Sequence, residues 1–179
     1  DGSHRRWALF LSPNGQLLAH TDKRGNVSVL NLATGTNSVI DHGEWGSDNP
    51  YSDVVWSPDS KALVLVRANS SAKRNQLLLH RLGETGVHVL TSDRYASYAP
   101  AFSPDGRWLY FLSDRQFSAS PAAPWGDRNT GPGFDKRSKV YALALQAGTR
   151  FPFAPVDELA PAKPNAGSAA KDSSAKDNA

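Results

Sequence analysis

Hydrophobic residues along this chain come in short runs of strand length, among them Trp7–Leu11, Ala62–Val66 and Trp108–Leu112. Polar breaks rich in glycine, proline, asparagine and aspartate close each run. No stretch carries the three-to-four-residue spacing of an amphipathic helix, so the pattern predicts strands joined by tight turns. One local pattern recurs, as Leu11-Ser12-Pro13-Asn14-Gly15, Trp56-Ser57-Pro58-Asp59-Ser60 and Phe102-Ser103-Pro104-Asp105-Gly106. The proline pre-sets φ for the second turn position, Asp105-Gly106 supplies the polar and positive-φ positions that follow, and Asn14 and Ser60 in the other copies are residues that suit turns. Ser12 and Ser57 are 45 residues apart, and Ser57 and Ser103 are 46 apart.

A fixed period of this size marks a blade array or a solenoid, and the content of each repeat chooses between them. After each turn an apolar strand is expected, at Gln16–His20, Lys61–Arg67 and Arg107–Ser113. Third strands follow at Asn26–Leu32, Gln76–Leu82 and Lys139–Leu145, each running into a glycine turn. Fourth strands are expected at Asn37–Ile40 and Val87–Leu90, with Thr149–Phe153 as a short last strand of the third repeat. Four short strands per period give an all-β fold, a β-propeller segment of three four-stranded antiparallel blades. The expected blades cover about 7–41, 51–93 and 95–153, within an ordered region of 1–159. Residues 160–179 hold no large apolar residue and read as a disordered linker, because such a segment cannot bury enough surface to offset its ordering entropy.

Two connectors stand out. His42–Pro50 holds His42, Glu44 and Asp48, but no pair of ligands recurs at a spacing that one strand would place on one face, so a solvated loop is the reading. The third repeat carries an insertion of about 25 residues, Asp114–Ser138, between its second and third strands. Long loops without structure of their own are uncommon in compact domains and are functional or mobile. Arg115, Trp125, Asp127, Arg128 and Phe134 are its candidate contacts to a substrate or partner, with packing of the loop against the propeller as the structural alternative.

Composition narrows the chemistry. The absence of cysteine removes disulfides and thiolate metal sites. The net charge of +3 is scattered over all three repeats, with no aromatic-basic stripe, so no nucleic-acid partner is expected. No apolar run is long enough to span a membrane as a helix. The chain does not begin with methionine and reads as starting in mid-fold. No nucleophile elbow, zinc-protease helix motif or phosphate-binding loop is present, and the five histidines lie singly. Neither a catalytic residue, a metal site nor a cofactor is expected.

The run from Phe102 to Arg115 resembles the propeller repeat shared by tricorn proteases and the Tol-system propeller protein. Prolyl oligopeptidase-type enzymes carry related blades. The stretch Asp1–Arg6, and Pro124–Arg128 followed by Lys139–Leu145 and Phe151–Pro155, resemble the later propeller of tricorn-like serine peptidases. This resemblance implies a large multidomain peptidase whose propellers channel and sieve peptides for a catalytic core outside this chain. It implies peptide substrates and the remaining domains as partners, a homo-oligomeric parent and a cytoplasmic setting, with the periplasm left open. Two other readings stand beside it: a Tol-like protein-binding propeller without hydrolase activity, and the propeller of a prolyl oligopeptidase-type enzyme.

Overall fold

The computed structural model describes residues 5–43, 50–69, 74–116, 118–119, 134–135 and 138–155, with backbone alone at 118–119 and 134–135. Two compact units divide the chain, residues 1–149 and 150–179. The first unit contains every strand among the described residues. These are β1 (Arg6–Leu11), β2 (Leu17–Asp22), β3 (Asn26–Asn31), β4 (Asn37–His42), β5 (Tyr51–Trp56), β6 (Ala62–Ala68), β7 (Asn75–Arg81), β8 (His88–Val89), β9 (Ser97–Phe102), β10 (Trp108–Ser113), β11 (Ser118–Ala119), β12 (Phe134–Asp135) and β13 (Lys139–Ala144). They form antiparallel sheets in the orders β1-β2-β3-β4, β5-β6-β7-β8 and β9-β10-β13, with β11 and β12 as a separate two-stranded pair.

The recurring turn is one hydrogen-bonded device made three times. The serine carbonyl accepts the N–H three residues on, from Gly15, Ser60 and Gly106. The serine hydroxyl accepts the N–H that opens the second strand, from Leu17 at 3.0 Å, Ala62 at 2.9 Å and Trp108 at 2.9 Å. The same hydroxyl donates to Asn14 Oδ1, Asp59 Oδ1 or Asp105 Oδ1. The last turn position lies at positive φ, with Gly15 at 70° and Gly106 at 68°. Ser60 occupies it at 59°, where a side chain is disfavoured. Its hydroxyl has a task there, accepting the Asn14 N–H of the preceding turn at 3.1 Å.

Alternation along the strands sends side chains to both faces of each sheet. Ala19, Val27, Val29 and Ile40 of the first sheet share one apolar cluster with Val54, Trp56, Leu63, Leu65 and Leu78 of the second. The other face of the second sheet places Val64, Val66, Leu77 and Leu79 in a cluster with Leu109 and Phe111 of the third. Side-chain polar contacts reinforce the first seam. Trp56 Nε1 donates to the Phe10 carbonyl at 2.9 Å, and Arg67 binds both carboxylate oxygens of Asp41, at 2.8 and 2.6 Å. Tyr51 donates to the same carboxylate at 2.8 Å. At the corresponding places in the second seam stand Phe102, Ser113 and Ser97, in place of the indole, guanidinium and phenol.

The first strand of every sheet has a register break: Arg6/Ala8 in β1, Tyr51/Asp53 in β5 and, in β9, opposite Tyr110/Leu112. Such bulges bend and twist a strand. In β9 the break includes Ala99 at φ 50°, an uncommon conformation for a residue with a side chain.

The third sheet differs from expectation at its outer edge. Thr149–Phe153 does not become a fourth strand, and three strands are described there. Pro152 lacks the N–H that a ladder would use. Within the second unit, the Ala154 N–H instead closes a turn on the Phe151 carbonyl at 3.0 Å, and the Phe151 and Phe153 rings meet edge to face at 5.6 Å.

Ser60 yields a direct test. Ser60→Ala keeps the positive-φ strain and removes the acceptor for Asn14, and we expect it to destabilise the chain by about 1–2 kcal/mol. Ser60→Gly removes the same acceptor but relieves the backbone, and should cost less. Urea midpoints of the two variants check the order; an equal loss would show that the latch and the backbone strain are not both at work.

Candidate functional site

Among the described residues of the first unit, chemistry-bearing side chains gather at the base of the insertion, at the turns and between the first two sheets. At the insertion, Asp114 follows β10 and Ser138 precedes β13, so the register of these two strands brings them side by side. Ser138 donates its hydroxyl to Asp114 Oδ1 at 2.6 Å, and Tyr98 of β9 donates to the same oxygen at 3.1 Å. The Tyr98 and Ser138 hydroxyls are themselves 2.7 Å apart. Three polar groups therefore staple the two ends of the insertion together.

Arg115 lies one residue beyond this staple. Its guanidinium sits 5.6 Å from the Phe111 ring and 5.3 Å from the Tyr141 ring, and Nε donates to Ser113 Oγ at 3.1 Å. Those two rings stack with centroids 5.8 Å apart. Cation–π contact and a hydrogen bond thus hold a half-buried positive charge at the mouth of the insertion. Of the other residues singled out in the sequence, Phe134 lies in β12, its backbone paired with Ala119. Trp125, Asp127 and Arg128 lie outside the described residues.

The turn carboxylates are tuned by their neighbours. The Ser103 hydroxyl, then the Arg107 backbone N–H and guanidinium, hold Asp105 at a pKa of about 2. The Ser57 hydroxyl and the Lys61 N–H lower Asp59 in the same way. Burial pushes Asp22 up, but hydrogen bonds from Asn26 and Arg24 and the charge of Arg6 more than offset it, leaving the carboxyl below its usual value. Between the first and second sheets, burial and then the charge of Asp41 push the Tyr51 phenol above its ordinary range. These groups are arranged to hold sheets and turns. The three repeated serines are spent in their turns.

Among the described residues, no group of three His, Asp or Glu side chains is placed to hold a metal ion. Two clefts open along the seams. One of about 460 Å³ lies between the second and third turns, beside Asp59, Asp105, Phe102 and Leu145. The other, of about 580 Å³, lies between the first two sheets, over Leu17, Val29 and Ile40. In the latter stands His80, whose Nδ1 donates to the Gly86 carbonyl at 2.7 Å.

Successive antiparallel sheets, packed face to face at a 45-to-46-residue period, define a segment of a β-propeller. The sequence places that segment among tricorn-type propellers. It is 31% identical over 148 residues to tricorn protease homolog 1 of Streptomyces coelicolor, matching 82% of this chain and 13% of that protein. It is 30% identical over 146 residues to a putative tricorn-like protease C-terminal subunit of Sulfurisphaera tokodaii, covering 81% of this chain and 16% of the relative. The crystal structure of the tricorn protease superposes with a TM-score of 0.69 at 22% identity, over 83% of this chain and 14% of that one. A putative TolB from Agrobacterium tumefaciens follows at a TM-score of 0.50 and 15% identity, over 79% of this chain and 47% of that one. No family model matches the chain. The chain is thus a β-propeller segment related to the tricorn protease homologues, and it spans less than a fifth of the length of the two relatives named.

The tuned carboxylates fix a pH response. Asp22, Asp59 and Asp105 have folded-state pKa values below their unfolded ones, so the stability they contribute is complete above pH about 4. It is lost as the pH falls from there through about 2, where Asp105 titrates. The urea midpoint should therefore drop between pH 5 and pH 2.5, and the combined change Asp59→Asn with Asp105→Asn should flatten that drop. An undiminished drop in the double variant would remove the turns from the acid response.

Proposed function

We propose that this chain is the non-catalytic propeller portion of a tricorn-like serine peptidase, serving as scaffold and peptide passage for a catalytic domain outside it. The observation that carries this reading is the 31% identity to a tricorn protease homologue across 82% of the chain. The side chains described here agree with it, since the repeated serines and their carboxylates are committed to turns. On this reading the partners are peptide substrates and the other domains of the parent, which assembles as a homo-oligomer.

The insertion is the proposed contact region, with Arg115, Trp125, Asp127, Arg128 and Phe134 meeting peptide. The stapled base gives it a fixed origin, and Arg115 offers a held positive charge beside an aromatic pair, which suits a peptide carboxylate or a backbone carbonyl. The test uses the native gene product. Its mass should be several times 19.3 kDa, and a photo-crosslinking residue at position 125 should label an added unfolded peptide while the same residue at Lys23 does not. A native product near 19.3 kDa would sink the peptidase parentage, and equal labelling at both positions would sink the contact role of the insertion.

A further inference from the structure

One buried side chain breaks the pattern that the three sheets share. Leu18, Leu63 and Leu109 stand 45 and 46 residues apart, and each faces a partner on the neighbouring strand. In the first and third sheets that partner is a leucine, Leu30 or Leu143, whereas in the second it is His80. His80 is 3% exposed and lies on the same face of β7 as Leu78, which packs against the first sheet. An imidazole buried where the repeat places leucine carries a desolvation cost that only hydrogen bonds offset. Half of that need is met. A carbonyl oxygen only accepts, so the bond to Gly86 puts the ring proton on Nδ1 and makes Nε2 an acceptor. Nε2 pairs with nothing among the described residues, yet it is not sealed off as His20 Nδ1 is. It opens to the cleft of about 580 Å³ between the first two sheets, which His80 lines.

The rest of the lining restricts what can meet this acceptor. Leu17, Val29 and Ile40 supply apolar surface, and Val39 and Leu82 extend it while themselves 61% and 36% exposed. Glu84 is the one carboxylate of the lining, and no lysine or arginine joins it there. Its charge is already engaged, with Oε2 2.9 Å from His88 Nε2 and Oε1 3.9 Å from Arg81. An ionic ligand would find no free counter-charge. A neutral one with an apolar body and a single donor finds both of its complements, and aromatic rings bearing N–H or O–H have that build.

We propose that this cleft binds an indole or phenol ring, with its N–H or O–H donated to His80 Nε2. The volume lies within the roughly 300–1,000 Å³ of ordinary ligand pockets. Such a ring arrives either as a small molecule or as the Trp or Tyr side chain of a partner peptide, and the capture is the same. Both walls of the cleft are sheets that this chain packs together itself. The proposal goes beyond the peptidase reading and does not rest on it.

The experiment is a ligand-detected NMR titration of the native gene product with indole and with indene, which has CH₂ in place of the N–H. Indole should bind about tenfold more tightly, the scale of one hydrogen bond. His80→Leu installs the residue found at this place in the other two sheets, so the strand signal in circular dichroism should be retained. The preference for indole should vanish in that variant. Ser38→Trp, on an exposed residue lining the cleft, should block both rings. A blocked Gly-Trp-Gly peptide that competes better than free indole would assign the ring to a peptide side chain. Exclusion of the peptide while indole still binds would assign it to a small molecule. Failure of both rings to bind overturns the site, and so does binding that survives Ser38→Trp. An indole preference that is absent, or that persists in folded His80→Leu, overturns the role of Nε2.

Discussion

A four-stranded sheet with apolar residues on both faces cannot bury either of them alone. That constraint governs the chain. The second sheet satisfies it fully: Leu63, Val64, Leu65 and Val66 are consecutive, alternate between two different clusters and are each 0% exposed. Such a run looks like a buried helix segment or a membrane fragment by hydropathy alone, and its length and flanking turns mark it as a strand between two sheets. The 45-to-46-residue spacing of the turns is the sequence-level trace of this stacking, because each repeat must deliver the same pair of faces to its neighbours.

The two seams meet the constraint by different means. The first is spanned by long polar side chains, with Trp56 reaching the Phe10 carbonyl and Arg67 and Tyr51 converging on Asp41. The second has Phe102, Ser113 and Ser97 at those places and relies on apolar packing around Leu109 and Phe111. Neighbouring repeats can thus share a backbone plan while sharing little of the side-chain chemistry that joins them.

Much of the plan was legible in the sequence. The three turns, their period and the second and third strands of every repeat stand where the pattern put them, within a residue or two. These features are local: a proline, a polar turn residue and an alternating run declare themselves without distant partners. The features that escaped are relations between repeats. Nothing in Trp56-Ser57-Pro58-Asp59-Ser60 shows that Ser60 tolerates positive φ while its hydroxyl receives the N–H of a residue 46 positions earlier. Nothing local joins Asp41 to Arg67 across 26 residues. The misread fourth strand at Thr149–Phe153 had an apolar rhythm, but Pro152 and the turn closed by Ala154 decided against a ladder. Of the candidate contacts, Arg115 was legible as a charge, whereas its seat over Phe111 and Tyr141 required the pairing of β10 with β13.

The staple of Tyr98, Asp114 and Ser138 works as a socket. Its two chain-linked members are 24 residues apart, and the sheet beneath them registers only that they meet. The entropic cost of closing a loop rises by only about 0.6 kcal/mol for each doubling of its length. What is threaded through such a socket can be lengthened, shortened or exchanged wholesale while the blade that carries it keeps its register. This is the kind of position at which a repeat protein can acquire a new surface without renegotiating its core.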